Sequence, residues 1–244
     1  MKSIHVYSDK NSLVEAAASF FIETASIAIQ NKGLFNVVLS GGGTPQPLFE
    51  YLAENQSADF LDWARIHFFW GDERTVGPSD PQSNYRQANR TLLQKRMIQP
   101  RNIHRIEGEL DPSQAAALYQ KEIVNWIHGS PPSFDLIFLG MGEDGHTASL
   151  FPGSKVVSYP ADFDLVAANH VPQLETWRIT LTPKLINAAN KIIFLVSGEN
   201  KASILKQVLE GPYQPEVFPA QLIRPQNGKL IWLIEQGSAS LLRS

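Results

Sequence analysis

Apolar runs of strand length alternate with amphipathic stretches of helix length along most of the chain. The apolar runs lie at residues 4–7, 36–39, 66–70, 136–139, 165–168, 177–181, 191–196 and 230–234. The helical stretches lie at residues 12–30, 45–54, 85–93, 112–128 and 200–210, with a further helix start at Pro183. This alternation is typical of βαβ units and predicts a largely parallel, two-sided α/β sandwich.

Helix boundary signals support this assignment. Ser12 and Glu15 have the spacing of a capping box, and Gly33 ends the stretch that follows them. Thr44 is predicted to cap a helix whose first residue is Pro45, where no backbone N–H is needed. Residues 153–164 are predicted to form a loop that holds an insertion or a lid. Because no linker or repeat is visible, we expect one domain over residues 1–244.

The composition narrows the class of protein. The chain has 244 residues, of which 43% are hydrophobic and 18% charged, so a sizeable core is available. The net charge of -3 and the lack of a Lys/Arg run argue against a nucleic-acid partner. No cysteine is present, which removes disulfides and thiolate chemistry. No apolar run approaches the roughly 20 residues that cross a bilayer, so we expect a cytoplasmic protein without a membrane partner.

Four polar clusters directly follow predicted strands, at residues 41–44, 71–74, 142–147 and 197–201. The carboxyl ends of parallel strands meet at one edge of a sheet, where open α/β sheets bind their ligands. The sequence therefore predicts a site at this edge.

The glycine-rich turn at residues 41–44 suits an anion. Glycine lets the backbone approach a ligand closely, and N–H groups at a helix start can donate to it, which points to Gly42, Gly43 and Thr44. Gln46 breaks the dinucleotide-binding fingerprint, and no Gly-Lys-Ser/Thr follows, so no P-loop is present. A tight turn without a ligand is the alternative.

Two cations are candidates for the same anion. Lys201 lies in the first turn of a predicted helix, where the helix dipole disfavours a cation unless it reaches a bound anion. Arg178 lies in a predicted strand between apolar neighbours, and its planar fork suits a phosphate. Alternatively, Lys201 is an ordinary surface lysine and Arg178 an edge-strand residue with its head in solvent.

His146 is the best candidate for acid–base chemistry, because an imidazole can accept a proton from water and return it near neutral pH. A capping histidine in a loop is the plainer interpretation. Asp144 and Glu143 could orient the imidazole or only fill a turn.

Asp72 and Glu73 form a second carboxylate pair. One of them is predicted to orient His146 or a substrate hydroxyl, and the other to pair with Arg74. No recognised metal-ligand spacing is present, so we expect no metal site. The absence of G-x-S-x-G leaves a serine-hydrolase elbow without support.

Five sequence blocks carry a resemblance to a known family. They are SGGGTP at residues 40–45, GDERTVGPSDPQSNY at 71–85, GMGEDGHTASLFPG at 140–153, RITLTP at 178–183 and GENKA at 198–202. The chain is similar to the 6-phosphogluconolactonase family, which shares its fold with glucosamine-6-phosphate deaminases. The third block is highly specific.

The resemblance implies a fold and a reaction. The fold is a three-layer α/β/α Rossmann-like sandwich with a mostly parallel sheet. The reaction is hydrolysis of 6-phospho-D-glucono-1,5-lactone to 6-phospho-D-gluconate in the oxidative pentose phosphate pathway, with no metal or organic cofactor. Gly77 replaces a proline that the family often has, which could loosen the loop after Arg74.

The resemblance also suggests a hypothesis for each candidate residue. His146 deprotonates a water that attacks the lactone carbonyl, and Arg74 or a backbone N–H near Gly142 stabilises the oxyanion. Asp144 or Asp72 stabilises the imidazolium. The phosphate is held by Gly42, Gly43, Thr44, Arg178 and Lys201.

Three other functions compete with this one. An aminosugar-phosphate deaminase would use Asp72 to move a proton between carbons and His146 to assist ring opening. A sugar-phosphate sensor would need a helix-turn-helix segment, for which a strand at Ile4 leaves no room. A nucleotide-binding module would need a complete phosphate-loop fingerprint. The partner we expect is a small sugar-phosphate lactone, bound by a monomer or a weak homodimer.

Overall fold

The computed structural model describes residues 2–129 and 131–243 of the chain. Within them, the apolar runs form strands. The strands are β1 (Lys2–Tyr7), β2 (Phe35–Leu39), β3 (Ile66–Trp70), β4 (Asp72–Arg74), β5 (Leu136–Leu139), β6 (Val166–Val171), β7 (Thr176–Leu181), β8 (Lys191–Val196) and β9 (Lys229–Glu235). The helices are α1 (Lys10–Lys32), α2 (Pro45–Glu54), α3 (Asn84–Ala88), α4 (Pro112–Trp126), α5 (Lys155–Ser158), α6 (Pro183–Ile186), α7 (Ala202–Glu210) and α8 (Gln236–Ala239).

Six strands form the main sheet in the order β1-β9-β8-β5-β2-β3, and each neighbouring pair is parallel. Strands β2, β3 and β5 are buried along their whole length. Strands covered on both faces read as continuous apolar runs, which is why the sequence reveals them. The predicted Rossmann-like sandwich with a mostly parallel sheet is confirmed. The prediction of a single domain stays a prediction.

A second sheet of three strands, in the order β4-β7-β6, departs from the predicted pattern because its pairs are antiparallel. The polar cluster after Gly71 was not predicted as a strand, but it forms β4, which pairs with β7. The carbonyl of Gly71 accepts a hydrogen bond from Leu181 N (2.8 Å), which joins this sheet to the end of β3. Strands β6 and β7 are joined by a short connection, which suits antiparallel neighbours but not parallel ones.

The caps of α1 and α2 differ from prediction. Asp9, not Ser12, caps α1, because its carboxylate accepts a hydrogen bond from Ser12 N (2.8 Å). Gly33 ends this helix as predicted, in a left-handed conformation with φ of 83° that glycine adopts readily. Thr44 occupies the position before α2, but its side chain makes no cap hydrogen bond; its hydroxyl lies 3.3 Å from Ser197 Oγ.

Helix α1 is long and apolar enough to span a bilayer by length and composition. The expectation that no segment approaches this length is therefore wrong. Burial explains its apolar character, because Leu13 and Phe21 are fully buried in the core and the ring of Phe21 meets that of Phe35 in β2 (5.4 Å between centroids). A core helix meets the same criterion as a membrane span.

Residues 153–164 are not wholly a loop. Helix α5 forms within them, and its two valines, Val156 and Val157, are buried. These two valines hold the first half of residues 153–164 against the core.

Candidate active site

A cleft of about 510 Å³ opens at the carboxyl ends of the parallel strands. Through Arg74 and Asn84 it continues into a polar groove of about 720 Å³. The four polar clusters predicted to meet at this edge all contribute residues. The predicted site residues that line the cleft are Gly42, Gly43, Thr44, Asp72, Arg74, His146 and Lys201.

His146 is paired with Asp144 at the side of the cleft. Its Nδ1 lies 2.5 Å from Asp144 Oδ1, and its backbone N–H donates to the same oxygen (3.1 Å). Burial acts to raise the pKa of Asp144, but hydrogen bonds from His146 and its charge outweigh burial and lower that pKa. An ionised carboxylate on Nδ1 favours the tautomer with its proton there, so Nε2 is left as the basic nitrogen. The carboxylate of Asp144 thus lies where it can orient the imidazole, and the role predicted for it stays a prediction.

Gly142 makes room for this pair. A Cβ at this position would lie 2.1 Å from His146 Nδ1 and 2.6 Å from Asp144 Oδ1. On the other side, the ring of Phe151 stacks on the imidazole, with centroids 4.1 Å apart. The N–H of Gly142 donates to the carbonyl of His146 (2.8 Å), so it is not free to bind an oxyanion.

Asp72 is buried and does not touch His146, contrary to one predicted role. Ser149 Oγ donates to its Oδ2 (2.6 Å), and Asn84 Nδ2 lies 3.2 Å from its Oδ1. Asn84 Nδ2 also donates to the backbone carbonyl of Asp72 (2.9 Å). Asn84 and Ser149 are site residues that sequence reasoning missed, although both lie inside blocks that carry the family resemblance.

Glu73 is also buried, and the predicted ion pair with the guanidinium of Arg74 is not formed. Its carboxylate instead accepts hydrogen bonds from the backbone N–H groups of Arg74, Asn84 and Tyr85, each 2.8 Å long. The hydroxyl of Ser83 donates to it as well (3.0 Å). Burial raises its pKa against these hydrogen bonds. Glu73 therefore ties β4 to the start of α3.

Arg74 and Arg178 lie directly opposite each other in the antiparallel pair of β4 and β7. Arg74 Nη1 donates to the carbonyl of Gln82 (2.6 Å), and Arg178 Nη1 donates to that of Trp177 (3.2 Å). Among the described residues, no carboxylate forms an ion pair with either. Burial and then the charge of Arg74 lower the pKa of Arg178. Facing cations are costly unless an anion joins them. Arg74 lines the cleft, whereas Arg178 lies next to it outside the lining.

The glycine-rich turn is partly occupied by the protein itself. The N–H of Gly42 donates to Gln87 Oε1 and the carbonyl of Gly42 accepts from Gln87 Nε2, both at 3.0 Å. Lys10 Nζ donates to the carbonyl of Gly43 (3.3 Å). The N–H of Gly42, which was predicted to donate to a ligand, is thus engaged by Gln87 in this structure, and Gly43 and Thr44 are the better candidates for backbone donors.

Lys201 lies in the cleft, in a short 3-10 helix (Glu199–Lys201) that leads into α7. Burial lowers the pKa of its ammonium group, while Glu143 and Asp144 act to raise that pKa. Glu143 accepts a hydrogen bond from Asn200 Nδ2 (2.5 Å), which links the loop of His146 to that of Lys201. Within residues 2–129 and 131–243, no three His, Asp or Glu side chains are grouped to hold a metal ion.

The chain is similar to proteins of a known family. Residues 8–232 match the family model described as glucosamine-6-phosphate isomerases/6-phosphogluconolactonase. A 6-phosphogluconolactonase of Aggregatibacter actinomycetemcomitans is 42% identical over 85% of this chain and 87% of its own, and one of Synechocystis is 38% identical over 98% of each. The crystal structure of a Thermotoga maritima 6-phosphogluconolactonase has a TM-score of 0.83 at 30% identity, covering 96% of this chain and all of that chain.

Proposed function

Because the chain belongs to the glucosamine-6-phosphate isomerase/6-phosphogluconolactonase family, we propose that it hydrolyses 6-phospho-D-glucono-1,5-lactone to 6-phospho-D-gluconate. The observation that carries this proposal is the His146–Asp144 pair beside the cations of one cleft. A base and cations in the same cleft suit a neutral ester that carries a phosphate. Relatives named 6-phosphogluconolactonase and the chemistry of this cleft both support this substrate.

The base in this proposal is Nε2 of His146, because Nδ1 is held by Asp144. Nε2 takes a proton from water as the water oxygen bonds to the lactone carbonyl carbon. The tetrahedral intermediate then collapses, the bond from that carbon to the ring oxygen breaks, and the imidazolium returns its proton to the ring oxygen. The carboxylate of Asp144 stabilises the imidazolium meanwhile. General base catalysis of this kind typically contributes about 10²–10⁴-fold.

The cations have two tasks in this mechanism. Since the N–H of Gly142 is engaged by His146, Arg74 is the better candidate for the developing oxyanion. Lys201 holds the phosphate together with the N–H groups of Gly43 and Thr44, and the positive charge of Arg178 adds to the field. Binding energy from the phosphate orients the ring over His146, which turns a bimolecular attack into an oriented one.

The test uses freshly made lactone, with product measured by coupling to 6-phosphogluconate dehydrogenase at slightly acidic pH to slow spontaneous opening. We expect His146→Ala to lose about 10²–10⁴-fold in kcat with little change in KM. His5→Ala is the matched control, because His5 is an exposed histidine of β1. A parent rate no higher than the uncatalysed rate would refute the lactonase proposal. Normal turnover by His146→Ala would remove His146 from its role.

The family description also covers glucosamine-6-phosphate isomerases, so ammonia release from glucosamine 6-phosphate is the companion assay. We infer that the lactonase is the better proposal because the relatives compared above are named for it. No metal or organic cofactor enters the mechanism, since water activated by His146 is the nucleophile. A cytoplasmic location and a monomer or weak homodimer complete the proposal.

A further inference from the structure

A second pocket, of about 340 Å³, lies at the opposite end of the sheet from the cleft. Lys2, the first residue of β1, lines it and pairs in register with Leu230 near the start of β9. These are the amino ends of parallel strands, whereas the cleft follows their carboxyl ends. The end of α7 and a 3-10 helix (Pro219–Leu222) close the pocket from above. Its volume is at the lower end of the range for small-molecule sites, about 300–1,000 Å³.

One part of the pocket wall is apolar. Five of its apolar lining side chains are at least nine-tenths buried, namely Val208, Ala220, Ile223, Leu230 and Trp232. Gln221 is the buried polar residue of the wall, and its amide is already used: Nε2 donates to the carbonyls of Gln207 and Pro212, and Oε1 accepts from Gln214 N. This part of the wall therefore offers a surface for an apolar group.

Two cations stand at the mouth. Lys2 and Arg224 form no ion pair with any carboxylate of the described residues, and no acidic side chain lines the pocket. Burial and then the charge of Arg224 lower the pKa of Lys2, so the two charges are close enough to oppose each other. The guanidinium of Arg224 lies 3.7 Å from the ring centroid of Tyr213, and its Nε donates to the carbonyl of Gln221 (3.1 Å). The terminal nitrogens of Arg224 remain as donors.

The wall also contains an unsatisfied donor. Trp232 is 2% exposed, and its indole N–H has no acceptor among the described residues. Its ring stacks on Phe194 with centroids 3.9 Å apart, which fixes its plane. Because Trp232 lines the pocket, the NMR signal of this N–H should respond when a molecule binds there.

We propose that this pocket binds a small amphipathic anion, a molecule with an apolar body and one carboxylate or phosphate group. The apolar body fills the space between Val208 and Trp232, and the anionic group pairs with Lys2 and Arg224. An anion there relieves the opposition of the two cations and forms charge-assisted hydrogen bonds with both. The site is separate from the cleft, and it stands whether or not the chain is a lactonase.

The test is a titration of the ¹⁵N-labelled full chain with hexanoate, phenyl phosphate and uncharged 1-hexanol, followed by NMR at the indole N–H of Trp232. Trp232→Phe identifies that resonance. We expect saturable shifts with at least one anion, with a dissociation constant on the order of 1 mM for ligands of this size. Comparison of the two anions shows which head group the site prefers. A phosphate bound only in the cleft would leave the Trp232 signal unmoved.

The variants separate charge from packing. Lys2→Gln/Arg224→Gln keeps side-chain length and is expected to weaken anion binding roughly tenfold or more. The control, Arg65→Gln/Lys155→Gln, removes the same charge from exposed positions elsewhere and is expected to bind as the parent does. No shift of Trp232 with either anion would overturn the proposal. Equal binding of hexanol and hexanoate, or full binding by the Lys2/Arg224 variant, would also overturn it.

Discussion

The most direct test of how the site is built is Gly142→Ala. A Cβ there would lie 2.1 Å from His146 Nδ1 and 2.2 Å from His146 Cε1. Ordinary contact between such atoms is about 3.5 Å, so the imidazole must move by roughly 1.4 Å. The backbone is no obstacle, because Gly142 does not have a positive φ. The substitution therefore displaces the proposed base without straining the backbone.

The magnitude follows from this displacement. A misplacement of about 1 Å can cost about 10²-fold in rate. The new Cβ would also lie 2.6 Å from Asp144 Oδ1, so the carboxylate that orients the ring is pushed away at the same time. We expect kcat for lactone hydrolysis to fall by about 10²-fold or more. KM should change little, because the cations proposed to hold the phosphate are untouched.

The assay is the coupled lactonase measurement, with thermal unfolding followed in parallel. Gly77→Ala is the matched control, since a Cβ at Gly77 meets no atom within 4 Å and its φ is not positive. The control should keep parental kcat and parental melting temperature. If Gly142→Ala turned over within about threefold of the parent while folded, the His146–Asp144 geometry would not be what positions the base.

The remaining predictions concern pH and phosphate binding. Burial, followed by the charges of His104 and Arg101, lowers the pKa of His67 to about 4, so the folded protein holds this ring neutral while the unfolded chain protonates it below about 6.5. This contribution to stability is thus fully present above pH 6.5, and the free energy of unfolding should fall by up to about 3 kcal/mol as the pH drops towards 4. The urea midpoint of His67→Asn should fall clearly less over the same pH range. A fall equal to that of the parent would contradict this assignment. For Lys201→Ala we expect KM for the lactone to rise about tenfold with kcat largely kept; Lys184→Ala should change neither, and an unchanged KM in Lys201→Ala would place the phosphate elsewhere.

The parallel sheet was predictable because its strands are covered on both faces. Burial makes β2, β3 and β5 nearly continuous apolar runs, and such runs stand out in a sequence. Each then stops at a polar cluster, so the edge that holds the cleft could also be predicted. His146 and Asp144 are only two residues apart in the chain, so their contact could be predicted from the sequence.

The parts that sequence reasoning missed depend on register or on distant partners. Arg74 faces Arg178 because β4 pairs with β7 in an antiparallel register. A polar strand of three residues has no sequence pattern that predicts this pairing. The structural role of Glu73 appears only when the start of α3 is placed against it. The occupation of Gly42 by Gln87 links residues 45 positions apart. A motif gives the residue types of a site, but not which of its hydrogen bonds the protein uses itself.

Asp72 is an example, because the hydrogen bonds that its carboxylate accepts within the protein suggest a different role from the one predicted. Its carboxylate is held by Ser149, three residues after His146, and by Asn84. Asn84 in turn presses against the glycine-rich turn so closely that a Cβ at Gly41 would lie 1.8 Å from its Oδ1. One buried carboxylate therefore connects the loop of the proposed base to the turn proposed to hold the phosphate. We therefore propose that Asp72 acts as a positioning residue, which sets the distance between the proposed base and the proposed phosphate site.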